Sequence, residues 1–166
     1  MKKTYHLCLS AGDEVMFRDL EDYHRGFNCF ALALYKTDST GLVESIMSTH
    51  VHQLVQTHDP EVFMFCFRNP YSKYFNRKYG RSGRLGEGKH FSMQVVGHYH
   101  TVAAASYVMR NPLHHGVAPT PYAYRHSLPT LFSEKNWESS IRRPFFLKNH
   151  MPDIWGDMPN IRLVIR

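Results

Sequence analysis

The sequence predicts an α+β fold, an antiparallel sheet with helices packed on it. Three observations lead there. Short apolar runs have strand length, longer stretches carry apolar residues at helical spacing, and the two alternate as strand, helix, strand, strand, helix, strand, helix. The 166 residues are 43% hydrophobic and 14% aromatic, which suits one domain with a real core.

Residues 4–10, "TYHLCLS", read as the first strand, broken by Gly12, Asp13 and Glu14. "LEDYHRGFNCFALALYKT", residues 20–37, places Phe27, Phe30, Ala31 and Leu34 at helical spacing. "GLVESIMS", 41–48, and "HVHQLVQT", 50–57, are the second and third strands, turning at Ser48 and Thr49. Asp59 and Pro60 open the second helix, a capping residue followed by proline at the first helical position. It carries Val62, Phe63, Phe65, Cys66 and Phe67, kinks or restarts at Pro70, and runs on through "YSKYFNRKY".

Gly80, Gly83, Gly86 and Gly88 mark a flexible basic loop. "KHFSMQVV", 89–96, alternates as a fourth strand. "YHTVAAASYVMRN", 99–111, is an alanine-rich helix that ends at Asn111, because the residue before Pro112 avoids helical backbone. Beyond Leu128 the pattern weakens, and "IRLVIR" reads as one last strand. The order is that of a split βαβ, ferredoxin-like plan. Residues 1–128 form the expected domain and residues 129–166 a tail of unassigned role.

The net charge of +6 favours a polyanionic partner, though weakly by itself. Cys8, Cys29 and Cys66 are scattered in apolar contexts, which argues against a disulfide framework or a thiolate zinc site. Asp13 and Glu14 come too early for a signal peptide, and no apolar run has the length of a membrane helix. The expectation is a soluble, cytoplasmic protein without membrane contact, a monomer or a homodimer.

Among the twelve histidines, His50 and His52 in "STHVHQLV" stand out. Residues two apart on a strand face the same way, about 6.6–6.8 Å apart along the chain. Two imidazoles so placed can converge on one divalent cation, or can be two half-buried side chains bonded to their neighbours. His98 and His100, in "GHYHTV", lie where strand meets helix, a place for capping or exposure. In "SYVMRNPLHHGV", Tyr107 and Asn111 are four apart, so a helix puts phenol and carboxamide on one face.

The stretch 71–89 holds most of the net charge: Lys73, Arg77, Lys78, Arg81, Arg84 and Lys89 against Glu87 alone. Tyr71, Tyr74, Phe75 and Tyr79 are interleaved with them. Cations for phosphates and aromatic faces for unpaired bases suit single-strand binding, with Lys73, Tyr74, Arg77, Lys78, Tyr79, Arg81 and Arg84 as candidates. A solvated helix face with its aromatics in the core is the plainer alternative.

Together these stretches resemble a known family. "STHVHQLV" is similar to the His-hydrophobic-His segment of the HUH single-strand transposases. "YVMRNPLHHGV" resembles the Tyr-Ile-x-x-Asn-Pro-Val-x-x-Gly segment of their REP-associated, insertion-sequence-200-like branch, as does "YSKYFNRKYGRSGRLGEGKHF" with its basic helix and Gly-rich loop. The resemblance spans about residues 5–128. It departs at Met47-Ser48-Thr49, where Met-Pro-Asn is usual, at Leu85-Gly86, where the family has Leu-Trp, and at "YAYRHSLP" in place of Trp-Ser-Ser.

The resemblance implies an HUH-type active site in which Tyr107 attacks a phosphodiester of single-stranded or hairpin DNA and forms a 5′-phosphotyrosine link. It implies His50, His52 and Asn111 as ligands of a divalent metal, Mg²⁺ or Mn²⁺, and a role in DNA transposition. The rival readings are a non-catalytic hairpin-binding module on the same fold and a metal-dependent nuclease that hydrolyses DNA without a covalent intermediate.

Overall fold

The computed structural model describes residues 1–86, 88, 90–120 and 123–127. Seven elements follow one another: β1 (Lys3–Ser10), α1 (Leu20–Lys36), β2 (Thr40–Ile46), β3 (His50–Thr57), α2 (Pro60–Tyr79), β4 (Phe91–Val95) and α3 (His98–His114). The expected order holds throughout. The four strands form one sheet in the order β2-β3-β1-β4, with every neighbouring pair antiparallel. This is the ferredoxin-like arrangement with α3 added. The tail expected to carry a last strand lies outside the described residues, as do Glu87 and Lys89 of the basic loop.

Alternation along the strands sends their side chains into two apolar layers. On one face Leu7, Leu9, Val51 and Val55 meet Phe27, Phe30 and Leu34 of α1 and Phe63, Phe67 and Phe75 of α2. On the other face Val43, Leu54 and Val95 meet Ala104, Ala105, Val108 and Met109 of α3. The alanines let α3 lie close to the strands. Among the described residues no helix is long and apolar enough to cross a membrane.

Two prolines sit inside helices. α2 runs unbroken through Pro70, and α3 continues past Pro112 to His114 instead of stopping at Asn111. Pro112 falls in the last turn, where few later bonds remain to be lost. The His115 amide donates to Asn111 O at 3.1 Å and the Val117 amide to Pro112 O at 3.0 Å, which closes the helix one turn late. Residues Asn111 to His115 therefore keep the helical phase of Tyr107.

Arg68 ties the described part of the Gly-rich loop to α2. Arg68 of α2 donates from Nε to Leu85 O at 2.8 Å, from Nη2 to Gly86 O at 2.8 Å and from Nη1 to Gly88 O at 3.3 Å. Gly86 has φ +81° and its α-carbon faces Ser10 O so closely that a Cβ would stand 2.9 Å from that oxygen. Only glycine fits both demands. The loop is thereby held against the end of β1, which pairs with His50.

The outer edge of β2 is covered by residues that follow α3. The Ile46 amide donates to His126 O at 2.9 Å, the Tyr124 hydroxyl donates to Ile46 O at 2.6 Å, and the His126 ring stacks on Tyr23 with centroids 3.6 Å apart.

Asp22 ties α1 to α2. Its carboxylate is fully buried and accepts from the Arg18 amide at 2.8 Å, the Tyr74 hydroxyl at 2.8 Å, the Tyr79 hydroxyl at 2.7 Å and Lys78 Nζ at 2.9 Å. Burial pushes this carboxyl up, but the four donors, Arg18 first, outweigh it and hold it below the usual carboxylate range. A depressed folded pKa gives stability that is complete above the unfolded value, about 3.9, and lost as the pH falls through the folded one. Asp22→Ala should therefore cost about 1–3 kcal/mol by taking the acceptor from the Arg18 amide and the Tyr74 hydroxyl, while Lys78 keeps Asp19 and Glu21. Denaturant melts between pH 7 and pH 2.5 should show a steeper acid loss for the unsubstituted protein than for Asp22→Asn; parallel curves would refute the assignment.

Candidate active site

The α3 face of the sheet collects the sequence-predicted catalytic and metal residues. His50 and His52 lie on that face of β3, with Leu54 following in the same phase, while Val51 and Val55 enter the opposite core. Their rings stand edge to face, with centroids 5.2 Å apart. His50 Nε2 is 3.0 Å from Asn111 Oδ1, and its Nδ1 is 3.1 Å from Thr49 Oγ1. Asn111 is almost fully buried at 3% exposure, so its carboxamide is aimed by packing as well as by this bond.

Tyr107, one turn earlier on α3, is 47% exposed. Its ring meets those of His52 and His6 nearly edge-on, at 5.5 Å and 5.6 Å between centroids. A cavity of about 490 Å³ opens beside it, lined by His6, Cys8, His52, Phe91, Met93 and Ala104 among others. A substrate group can thus reach the phenol from solvent while the imidazoles stay covered from behind.

Two further imidazoles belong here. His6 of β1 places Nε2 3.0 Å from His52 Nδ1. The His115 ring lies 5.0 Å from that of His50. Both could have been read earlier: "TYHLCLS" alternates so that His6 and Cys8 share the face away from Leu7 and Leu9, and His115 stands four residues beyond Asn111. His98 and His100 are both exposed, and His100 borders the same cavity as His52 and Tyr107. His100 Nδ1 accepts the Val96 amide at 3.3 Å, in the manner of a helix cap.

Burial shifts His6, His50 and His52 toward the neutral form. Burial lowers His52 to about 3, with repulsion from His6, His50 and His115 adding to it. Burial also lowers His50, opposed by the bond to Asn111, and lowers His6. Unprotonated imidazoles keep lone pairs for a cation. Burial pushes the Cys8 thiol up to about 11, which disfavours the thiolate a metal would need.

Among the described residues, no three histidine, cysteine or acidic side chains gather to hold a metal ion. A site here needs the Asn111 oxygen. Its 3.0 Å separation from His50 Nε2 matches two adjacent ligands at right angles with bonds of about 2.1 Å. The donors present, two neutral imidazoles and a carboxamide, fit a borderline or hard divalent ion.

The basic candidates divide. Lys78 Nζ is held by Asp19 at 2.8 Å, Asp22 at 2.9 Å and Glu21 at 3.1 Å, so its charge is matched internally. Tyr74 and Tyr79 give their hydroxyls to Asp22 and lie under cations, with Arg25 4.8 Å from the Tyr74 centroid and Arg18 4.3 Å from that of Tyr79. These three side chains form a network joining α1 and α2. Arg81 pairs with Glu14 at 3.0 Å. Lys73, Arg77 and Arg84 are exposed. α2 packs on the sheet face opposite Tyr107, and the pinned loop leads from its end to Phe91, whose ring touches His6 at 5.6 Å.

Fold and site geometry together define a split βαβ sheet with a solvent-facing tyrosine over paired histidines. The fold is that of a REP-associated tyrosine transposase, the family that the sequence motifs resemble. A solved structure of that transposase bound to a REP hairpin superposes with a TM-score of 0.64 at 10% identity, over 81% of this chain and 82% of that one. A candidate transposase from Deinococcus radiodurans R1 matches at a TM-score of 0.43 and 16% identity, over 67% of this chain and 91% of that one. No protein-family model and no curated protein matches the sequence.

Proposed function

We propose that this protein is a transposase-like DNA strand transferase that cleaves and rejoins single-stranded, hairpin-bearing DNA through a 5′-phosphotyrosine intermediate. The observation that carries the reading is the meeting of Tyr107, His50, His52 and Asn111 at one place, from two motifs about 60 residues apart in sequence. The likeness of fold to a transposase solved with a DNA hairpin supports it.

In the proposed reaction Tyr107 Oη attacks phosphorus. The Tyr–O–P bond forms, the bond from phosphorus to the 3′-oxygen breaks, the phenolic proton passes to solvent and the 3′-oxygen takes one up. The phosphodiester energy stays in the link, so rejoining by a 3′-hydroxyl needs no nucleotide cofactor. His50, His52 and Asn111 would hold the Mg²⁺ or Mn²⁺ ion, which when bound polarises the phosphate and stabilises charge on the leaving oxygen. The covered imidazoles and the open phenol divide the labour: one side holds charge, the other admits the strand.

Exposed Lys73, Arg77 and Arg84 suit a hairpin backbone on the α2 side. An unpaired flank would follow the pinned loop to Phe91 and so to Tyr107.

Tyr107→Phe should abolish an SDS-resistant adduct with single-stranded oligonucleotides carrying a hairpin, and leave binding within a few-fold. His50→Ala and His52→Ala should each remove metal-dependent cleavage, whereas His98→Ala should not. An adduct that survives in Tyr107→Phe would refute the nucleophile. Cleavage without any adduct would favour hydrolysis, and binding without cleavage the hairpin-binding module.

Binding isotherms across a salt series test the surface. Lys73→Ala with Arg77→Ala should flatten the log–log salt slope by roughly 1.4 if each contacts one phosphate of a single strand. Lys78→Ala should instead lower the melting temperature and leave the slope unchanged. A slope that responds to Lys78 and not to the pair would put the DNA on the α1 side.

A further inference from the structure

We propose that His6 is a positioning residue: its Nε2 accepts the proton on His52 Nδ1, and so fixes the tautomer that leaves His52 Nε2 bare for a metal ion. The inference rests on the metal site proposed above, though the tautomer itself does not need the metal.

The geometry places one proton between the two rings, and the proposed metal site assigns it to His52. β1 pairs with β3 so that His6 lies opposite Leu54, diagonal to His52 on the same face, and Cys8 lies opposite His52. Diagonal neighbours are within reach of long rings. His6 Nε2 and His52 Nδ1 are 3.0 Å apart, so one proton lies between them. If His6 supplied it, the neutral His52 ring would carry its own proton on Nε2 and could not ligate through that nitrogen. If His52 supplies it, Nε2 is free, and the neutral His6 ring carries its proton on Nδ1.

His50 turns its ring the same way, with Nδ1 3.1 Å from Thr49 Oγ1, but its Nε2 donates to Asn111 Oδ1 at 3.0 Å, a proton that a cation would displace. Both rings thus turn Nδ1 to a supporting side chain, the usual arrangement behind a metal-bound imidazole. The other polar neighbour of His52 Nε2 is Cys8 Sγ at 4.0 Å, too far to hold a proton firmly.

His6 also braces the nucleophile. It is 6% exposed, and its ring contacts those of His52, Tyr107 and Phe91 at 5.2 Å, 5.6 Å and 5.6 Å. One buried imidazole on the most central part of the sheet therefore sets the orientation of a ligand and the seat of the phenol.

Long-range ¹H–¹⁵N correlation spectra of the metal-free protein at pH 7 read the tautomer directly. The expected result is His52 protonated at Nδ1, with that preference lost in His6→Phe and kept in His6→Gln, whose amide oxygen can accept the same proton. His52 protonated at Nε2 in the unsubstituted protein, or a tautomer indifferent to His6→Phe, would overturn the proposal. Calorimetric titration with Mn²⁺ gives the second readout. His6→Phe should weaken binding about 10- to 100-fold, and His6→Gln should restore it to within a few-fold, with thermal melts confirming that both variants fold. Unchanged Mn²⁺ affinity in His6→Phe would overturn the positioning role, as would a shift of the His6 Nε2 resonance to a metal-bound value on adding Zn²⁺, which would make His6 a ligand itself. Failure of the unsubstituted protein to bind Mn²⁺ would overturn the metal reading of the site and not the tautomer, which the metal-free spectra decide alone.

Discussion

The candidate site depends on one contact, the 3.0 Å hydrogen bond between His50 on β3 and Asn111 on α3. It joins two periodicities that otherwise drift apart. β3 returns a side chain to the α3 face every second residue, and α3 returns one to the sheet about every fourth. The apolar contacts among Val43, Leu54, Ala105 and Val108 bring helix and sheet together but tolerate sliding. A directed bond between two covered polar groups tolerates little, because either group left without a partner costs its full desolvation. A one-residue slip of β3 would carry both histidines into the opposite core. The bond therefore selects the register in which Tyr107 stands over His52.

The opposite face shows how the chain spends its charge. α1 and α2 present acids and bases to each other, and Asp19, Glu21 and Asp22 draw in Lys78 while Tyr74 and Tyr79 close around the same carboxylate. Arg68 is spent on three loop carbonyls. Both arrangements hold the α2 end and the Gly-rich loop in place, and the loop is the link from the basic surface to the edge of the site. A surface for a polyanion needs cations that are held in position yet unpaired. Here one set of charges supplies the rigidity and leaves Lys73, Arg77 and Arg84 exposed.

Strand order, helix spans and the shared face of His50 and His52 were legible in the sequence because each follows from a strong local period. Asp59-Pro60 announced the start of α2 for the same reason: the Asp59 carboxylate does cap the Glu61 and Val62 amides, at 2.8 Å and 3.1 Å. The errors came where a long-range partner overrides a local rule. Pro112 reads as a stop, but late in α3 it removes little, and Asn111 gains a bond to His50 by staying helical. Four glycines read as flexibility, but Arg68 lies about 17 residues away in sequence and its grip on the loop leaves no local trace. The carboxylates around Lys78 likewise leave no local trace, and only the packing of α1 on α2 brings them together. His6 lay in a recognised strand, and its significance required the β1–β3 register.

Several places where local rules are broken lie around Tyr107. A proline is carried inside α3, two imidazoles share one proton below the sheet surface, and Ser45 Oγ, on the strand position opposite His52, is buried without a hydrogen-bond partner among the described residues. None of these favours folding. The same positions filled by valine and leucine would make an ordinary sheet face like the one beneath α1 and α2. That face is not free of such costs: Glu44 is buried with Gln53 at 2.7 Å, and burial pushes its carboxyl well above the usual range. The difference is one of access. Glu44 and Gln53 are sealed in the core, whereas the imidazoles border a cavity that opens beside an exposed phenol. Polar groups kept at a cost and left within reach of solvent support the functional reading proposed above.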